Sequence, residues 1–386
     1  MDQVTQHPTL TGGIQIERPP HRLERLQGVL EEQRLDCLVA FGADEANYVA
    51  GYWRYYGGPS GVVLSRDGER TLVVMRDEVP VAERLGAGDA VHGFGERGFG
   101  IELNPLPLLA AAIASVPALA SAGRVGIADG LGPMRELLGG RLEAELVDLE
   151  PELVRLRLRK DEDELAKIAH AYELCWLGQR AVAEAVDRGA SEIEAFSAAQ
   201  SAAQIAHGEP IEFLADVLSG PDTSEVCCPI RIASPRRVEA GDPLIADVVV
   251  RANGYWGDTA ETHVAGTNAE VEEARARLLE ILERARTELV PGNTGAAMFA
   301  AMHDRVKTAF PQGELPHHGG HALGLTSFEG PHLIPADETP LESWMVIAVE
   351  PGVYVPGRFG ARVENVFVVT PDGGVELRDA MGIARA

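Results

Sequence analysis

The sequence predicts two domains of different class: an α/β domain over roughly the first 155 residues, then an α+β domain built on a pseudo-two-fold repeat. Three observations support this. Short apolar strands alternate with helical segments up to about residue 150. Two long amphipathic helices, unlike anything before them, then begin near residues 161 and 269. The order helix, helix, strands occurs twice between 161 and 370. A chain of 386 residues is also too long for one ordinary domain and suits two.

Residues 1–20 read as a flexible tail, rich in proline and polar groups. Leu23, Leu26 and Leu30 recur at helical spacing and predict a helix over 21–34. Cys37 to Phe41 form a short apolar run, a buried strand. Two β-rich runs, 61–64 and 71–75, flank Asp67-Gly68, a hairpin signal. A small-residue helix over 108–115 and strands over 124–128 and 146–149 complete the first domain, 21–155.

The second domain, 156–386, opens with a helix over 161–186, whose Leu165, Ile168, Tyr172, Cys175 and Leu177 share a broad face. Gly189 offers a left-handed cap at its end. Ser191-Glu192-Ile193-Glu194 is a capping box that starts a helix running to about His207. Strands follow at 211–216 and 229–232, then two apolar runs joined by Asn253-Gly254. The second half repeats the order: helices over 269–290 and 294–310, broken by Pro291-Gly292, then strands over 322–326, 345–350 and 362–370.

Composition excludes several function classes. A formal net charge of −25 disfavours nucleic acid and anionic membranes as partners. Cys37, Cys175, Cys227 and Cys228 form no CxxC pair and read as reduced thiols in a cytoplasm. The first 30 residues show no signal-peptide core. The most apolar segment, 106–122, is interrupted by Pro107 and Pro117 and is no membrane span.

The candidate chemistry starts at the Asn253-Gly254 turn. Both turn residues need φ > 0, which makes this pair the strongest short hairpin signal. A two-residue turn sets Ala252 opposite Tyr255 and Val249 opposite Asp258. Asp247 shares parity with Val249, so Asp247 and Asp258 become diagonal neighbours on one face, about 7–8 Å apart at Cα. Two carboxylates on one half-buried face repel, unless a cation sits between them. The second half adds more candidates. His317, His318 and His321 crowd beside flexible glycines. Glu350 ends an apolar run, and Glu364 lies in another. Unpaired, such buried charges would cost several kcal/mol each. Two divalent ions would offset that repulsion.

Taken together, these residues resemble the ligand set of the M24 metallopeptidases, the pita-bread-fold family of Xaa-Pro aminopeptidases, prolidases and methionine aminopeptidases, with creatinase as a relative. The resemblance rests on Asp247, Asp258 eleven residues on, His321 in His-x-x-Gly-His-x-x-Gly-Leu, Glu350 in Val-Glu-Pro-Gly-Val-Tyr and Glu364 in Arg-Val-Glu-Asn. It is strong over 155–386, and the first half is similar to the creatinase/prolidase N-terminal domain. It implies that Asp247 holds one metal bidentately, that Asp258 and Glu364 bridge two, and that His321 and Glu350 complete the second site. Oxygen-rich coordination with one imidazole suits Mn²⁺, Co²⁺, Fe²⁺ or Zn²⁺. Two such ions can share a hydroxide and present it as nucleophile. The resemblance further makes Glu350 the general base and His317 a donor to substrate. Arg362 becomes a partner for Glu364 or for a substrate carboxylate. A homodimer is implied as well.

Departures from the family pattern all fall on the substrate side. Phe328 stands where these peptidases carry a histidine, and His332 reads as an ordinary loop histidine. After Ser219-Gly220 the chain has Glu225, Cys227, Cys228 and Arg231 where the family has a histidine. Glu261 replaces an arginine in the segment after Asp258. These changes point to altered specificity. The resemblance therefore implies a hydrolase of a peptide or amide C–N bond in a small substrate. The alternative is a member repurposed for a small metabolite: a creatinase-like or ectoine-hydrolase-like amidohydrolase, or a metal-dependent lyase of the dimethylsulfoniopropionate-cleaving type. A non-catalytic binding module fits least, because all five ligands are kept.

Overall fold

A run with nothing to offer water becomes the middle of a sheet: Cys37–Phe41 is buried along its whole length. The computed structural model of the chain describes residues 19–96, 103–225 and 233–383. The tail at 1–18 and the strand expected at 229–232 lie outside the described residues. Two compact units separate by their internal contacts, Pro20–Arg157 and a second that begins at Leu158.

In the first unit six strands lie in the order Ala90–Phe94, Arg70–Met75, Gly61–Ser65, Cys37–Phe41, Arg124–Asp129 and Glu145–Asp148. The Asp67-Gly68 turn joins an antiparallel pair, with Gly68 at φ +95. Cys37–Phe41 pairs in parallel with Arg124–Asp129, the arrangement an α/β crossover produces. The helix expected over 108–115 runs Pro105–Ala114 instead, with proline in its first turn, where a missing N–H is no loss. Helices Ala43–Ala50, Val79–Leu85 and Met134–Gly139 escaped the periodicity reading. Each is too short to hold together without tertiary packing, so packing rather than local pattern selects it.

In the second unit a helix, Glu162–Asp187, opens on a capping box in which Asp161 and Glu164 exchange backbone hydrogen bonds. The next, Glu192–His207, does the same with Ser191 and Glu194. Leu174, Cys175 and Val182 of the first helix share a buried cluster with Ala246, Val248 and Val250. Helices Ala269–Glu288 and Gly295–Ala309 repeat this against the other sheet, where Leu278, Leu282 and Met302 join Ile347, Val349 and Phe367. Each such side chain, fully buried, stabilises the fold by about 1.5–3 kcal/mol. Among the described residues, no helix is long and apolar enough to cross a membrane.

The sheets carry the candidate site. Glu212–Ser219, Pro243–Ala252 and Tyr255–Val264 form one antiparallel sheet. Asn253 (φ +53) and Gly254 (φ +78) make its two-residue turn, and Val249 faces Asp258 as the turn requires. Gly257 lets this hairpin lie against the long helix: a Cβ there would sit 2.3 Å from the Tyr172 nitrogen. The five-stranded sheet places Glu329–His332, Gly320–Ala322, Val346–Val349, Asn365–Thr370 and Gly373–Glu376 side by side. The strand expected over 322–326 is shorter and earlier, Gly320–Ala322. The strand expected over 362–370 is two strands, Phe359–Arg362 and Asn365–Thr370. Glu364 occupies the break between them, where its N–H donates to the Ala260 carbonyl at 2.8 Å. Glu350 likewise sits between Val346–Val349 and Gly352–Val355.

Candidate metal centre

Strand parity assembles the first half of the centre. Leu214, Val249 and Asp258 form one row across the three-stranded sheet, and Asp216, Asp247 and Ala260 form the next row on the same face. Thr262 ties this sheet to the segment before Glu364: its hydroxyl donates to the Arg362 carbonyl and accepts from the Arg362 N–H, both at 2.8 Å. The five-stranded sheet supplies the rest. His321 lies opposite Ala348, two residues before Glu350.

These residues converge. Ligand atoms of Asp258, His321 and Glu364 lie within 4.8 Å of one another, and so do those of Asp247, Glu350 and Glu364. Glu364 is common to both groups. Glu350 falls in the second group, and its Oε1 also lies 2.9 Å from His318 Nδ1 and 3.9 Å from His321 Nε2. The His321 tautomer is fixed by its surroundings. Its Nδ1–H donates to the Ala322 carbonyl at 3.0 Å, which leaves the Nε2 lone pair 3.8 Å from Asp258 and 3.9 Å from Glu350. Asp258 Oδ1 and Glu364 Oε1 are buried without a hydrogen-bond partner. Orphaned carboxylate oxygens in two convergent groups fit divalent cations, which would supply the missing partners.

The electrostatics agree. Burial, then the neighbouring carboxylates, push Asp258 and Glu364 well above the usual range. Burial pushes Asp247 up to about 6, although Arg362 opposes it. Burial also acts to raise Glu350, but the His318 bond and the surrounding imidazoles outweigh it and hold Glu350 down to about 2. Burial lowers His317 to about 4 and lowers His321 too, so both are neutral near pH 7.

A pH dependence follows for chelator-treated protein. Below pH 6.5 the raised carboxylates and the depressed histidines act in opposite directions. Above it the histidines are neutral whether folded or unfolded. Burial raises Asp258 and Glu364 in the folded chain, so the folded state holds protons that the unfolded chain gives up above the ordinary carboxylate range, and their contribution to stability falls as pH rises. The metal-free protein is expected to melt at a lower temperature at pH 8 than at pH 6.5, with Mn²⁺ removing the slope. Thermal melts with and without EDTA check this, and an equal slope in Glu364→Gln would contradict it.

A cavity of about 360 Å³ opens onto the cluster. Asp247, Asp258, His321, Glu350 and Glu364 all line it, as does Phe328. Phe328 is 55% exposed, and its ring lies over His321 with centroids 4.2 Å apart. Other sequence candidates lie elsewhere. His317 is buried behind the cavity: its Nδ1–H donates to the His318 carbonyl at 2.6 Å, and its Nε2 lies 3.3 Å from the Tyr354 hydroxyl. Arg362 is fully buried and pairs with Asp247 at 2.9 Å, not with Glu364 or with the cavity. Glu261 pairs with Arg275 at 2.9 Å, away from the lining. His332 does not line the cavity either; its N–H bonds to Asp337. Cys227 and Cys228 lie outside the described residues. The sequence reading gave no separate role to His318, Asp216, Phe196 or Phe213, which do line the cavity. His318 stood in the three-histidine cluster, and strand parity alone could have put Asp216 on the face of Leu214.

Comparison with known proteins gives the family. The model of metallopeptidase family M24 matches residues 166–371, and that of the creatinase/prolidase N-terminal domain matches 22–159. The chain belongs to metallopeptidase family M24. This M24 chain is 29% identical over 223 residues to an Xaa-Pro dipeptidase of Pyrococcus furiosus, an alignment covering 58% of this chain and 63% of that protein. It is also 29% identical over 280 residues to a probable dipeptidase, PepE, of Mycobacterium tuberculosis, covering 72% of this chain and 70% of the other. The solved prolidase from Pyrococcus furiosus superposes with a TM-score of 0.73 at 23% identity, over 93% of this chain and 99% of that one. The fold is thus a creatinase/prolidase-type N-terminal domain followed along the chain by the pita-bread domain.

Proposed function

We propose that this M24 chain is a two-metal hydrolase that cleaves the C–N bond of short peptides, in the way its relatives named Xaa-Pro dipeptidase do. The observation that carries the reading is the pair of convergent ligand groups sharing Glu364. Asp258, His321 and Glu364 would hold one ion, and Asp247, Glu350 and Glu364 the other. When bound, Mn²⁺, Co²⁺, Fe²⁺ or Zn²⁺ would acidify water and polarise the scissile carbonyl. The residues do the rest. Glu350, held ionised by His318, takes the proton of the attacking water. Neutral His317 keeps its Nδ1–H on the His318 carbonyl and so orients the loop that carries His318. Arg362 offsets the charge of Asp247 from behind the cavity. The segments 1–20, 21–155 and 156–386, a homodimer and a cytoplasmic location belong to the same proposal.

Phe328 favours a second reading, in which the substrate is a small amide or other metabolite. Its ring occupies space over His321 where a hydrogen-bonding side chain would serve a proline peptide. The two readings separate in one experiment. Purified protein with Mn²⁺ or Co²⁺ is expected to release the C-terminal residue from short dipeptides, Xaa-Pro among them. Phe328→His is expected to raise kcat/KM on Xaa-Pro by about tenfold or more, the worth of one hydrogen bond to a charged substrate group. If no dipeptide is cleaved while small amides are, the metabolite reading stands.

A further inference from the structure

Two groups of ligands use up five side chains of the cavity, and one carboxylate is left over. Asp216 lines the cavity but belongs to neither convergent group. It stands on Glu212–Ser219, one strand outward from Asp247 and directly opposite it in the sheet. Like charges in that relation destabilise a sheet. Asp247 has the buried Arg362 as its partner. Among the described residues Asp216 has no hydrogen-bond or ion-pair partner, and Arg362 reaches it only as a more distant charge. The cavity that Asp216 lines also carries apolar side chains. Phe196 and Phe213 pack edge to face with ring centroids 5.2 Å apart, and Leu214, 55% exposed, and Phe328 extend the same lining.

A carboxylate outside both ligand groups, in a cavity that also presents aromatic and aliphatic side chains, selects for a cation that brings apolar surface with it. An anionic or neutral group there would leave Asp216 desolvated and unpaired. An ammonium gains a charge-assisted hydrogen bond, and aromatic faces tolerate its charge. We propose that Asp216 is a specificity-determining residue of the cavity, and that it binds an alkylammonium carried by the acyl part of the substrate beside an apolar group. This rests on the reading of the cavity as the substrate site of a hydrolase, and adds to it the residue that chooses the substrate's charge. The ammonium has two possible sources, the α-amine or a basic side chain.

The test compares wild type with Asp216→Asn, loaded with Mn²⁺, by titration calorimetry. Phenethylamine is the charged probe and 2-phenylethanol its neutral counterpart. The expected result is at least about tenfold weaker binding of phenethylamine to Asp216→Asn, with 2-phenylethanol unaffected. Mn²⁺ content by mass spectrometry stays unchanged. Equal phenethylamine binding by the two proteins overturns the proposal, since an amine held by the metal or by aromatic rings alone would ignore the substitution. Loss of Mn²⁺ from Asp216→Asn overturns it too, by making Asp216 a metal ligand. Leucine amide and Nα-acetyl-lysine amide separate the sources: selective loss of the first assigns the α-amine, and of the second the side chain. Binding is read apart from turnover. An Asp216-dependent amine affinity in a protein that cuts no peptide would refute the peptidase reading and keep this one. Peptide cleavage with Asp216-independent amine binding would do the reverse.

Discussion

Asp258→Ala or Glu364→Ala is expected to remove metal binding and activity together, and to leave the metal-free protein at least as stable as wild type. The first half follows from the geometry. Glu364 belongs to both convergent groups, and Asp258 contributes to the group that contains His321. Deleting either leaves at most two protein ligands for one ion. Loss of a mere outer-layer partner of a metal ligand costs about 10–100-fold in affinity or activity, so loss of a ligand is expected to exceed 100-fold. The second half follows from burial. Asp258 and Glu364 are 5% and 2% exposed, and each has an oxygen without a partner. Such groups oppose folding until a cation arrives, and alanine removes the repulsion along with the ligand. Each kcal/mol relieved raises the melting temperature of a domain this size by about 2–4 °C. Metal analysis, dipeptide assays and melts in EDTA together read the outcome. An alanine variant that melted well below metal-free wild type would show these carboxylates to be structural, and one that kept its activity would remove them from the centre.

The parts of this centre that could be read from the sequence are those governed by local chemistry. Asn253-Gly254 dictates a left-handed turn, and alternation then puts Asp247 and Asp258 on one face with no knowledge of the fold. The capping boxes at Asp161 and Ser191 are equally local. What could not be read depends on distant pairing. Asp216 meets Asp247 only because strands 31 residues apart align in one register, 216 against 247. Choosing between His317 and His318 requires the backbone path through Gly319-Gly320, where Gly320 takes φ +146 and its bare Cα lets the strand approach Ala348. Arg362 offers no local hint that it will pair with Asp247, which belongs to a different sheet. Glu364 looked like a residue inside a strand. It lies in a break because its neighbours bond to two different ladders, the Val363 N–H to Pro351 and its own to Ala260. Family resemblance supplied the grouping of five candidate ligands, and sheet topology supplied the cavity's outer wall.

Lys160→Met is expected to destabilise the protein by about 3–5 kcal/mol, the usual cost of stranding one member of a buried pair. Lys160 is 1% exposed, and its ammonium lies 2.7 Å from Glu329 Oε2. The other Glu329 oxygen accepts from the N–H groups of Leu325 at 2.9 Å and Thr326 at 3.2 Å. One glutamate thus closes the loop that presents Phe328 to the cavity, and one lysine neutralises that glutamate. Lys160 itself is fixed by its N–H bond to the Trp344 carbonyl at 2.9 Å, and Gly324 leaves room for the pair, since a Cβ there would lie 2.9 Å from Glu329 Oε2. With methionine at 160, Glu329 keeps its backbone donors but loses the only cation within ion-pair distance among the described residues. Lys160→Met/Glu329→Gln should recover part of the loss, because the second substitution removes the stranded charge. A loosened loop would also let Phe328 move off His321, so the double variant is expected to lose discrimination between Xaa-Pro and other dipeptides while retaining its metal. Denaturant unfolding of the three variants, with metal analysis and dipeptide kcat/KM values, decides the matter. A cost below about 1 kcal/mol for Lys160→Met would mean that the pair is solvated and does not brace the loop.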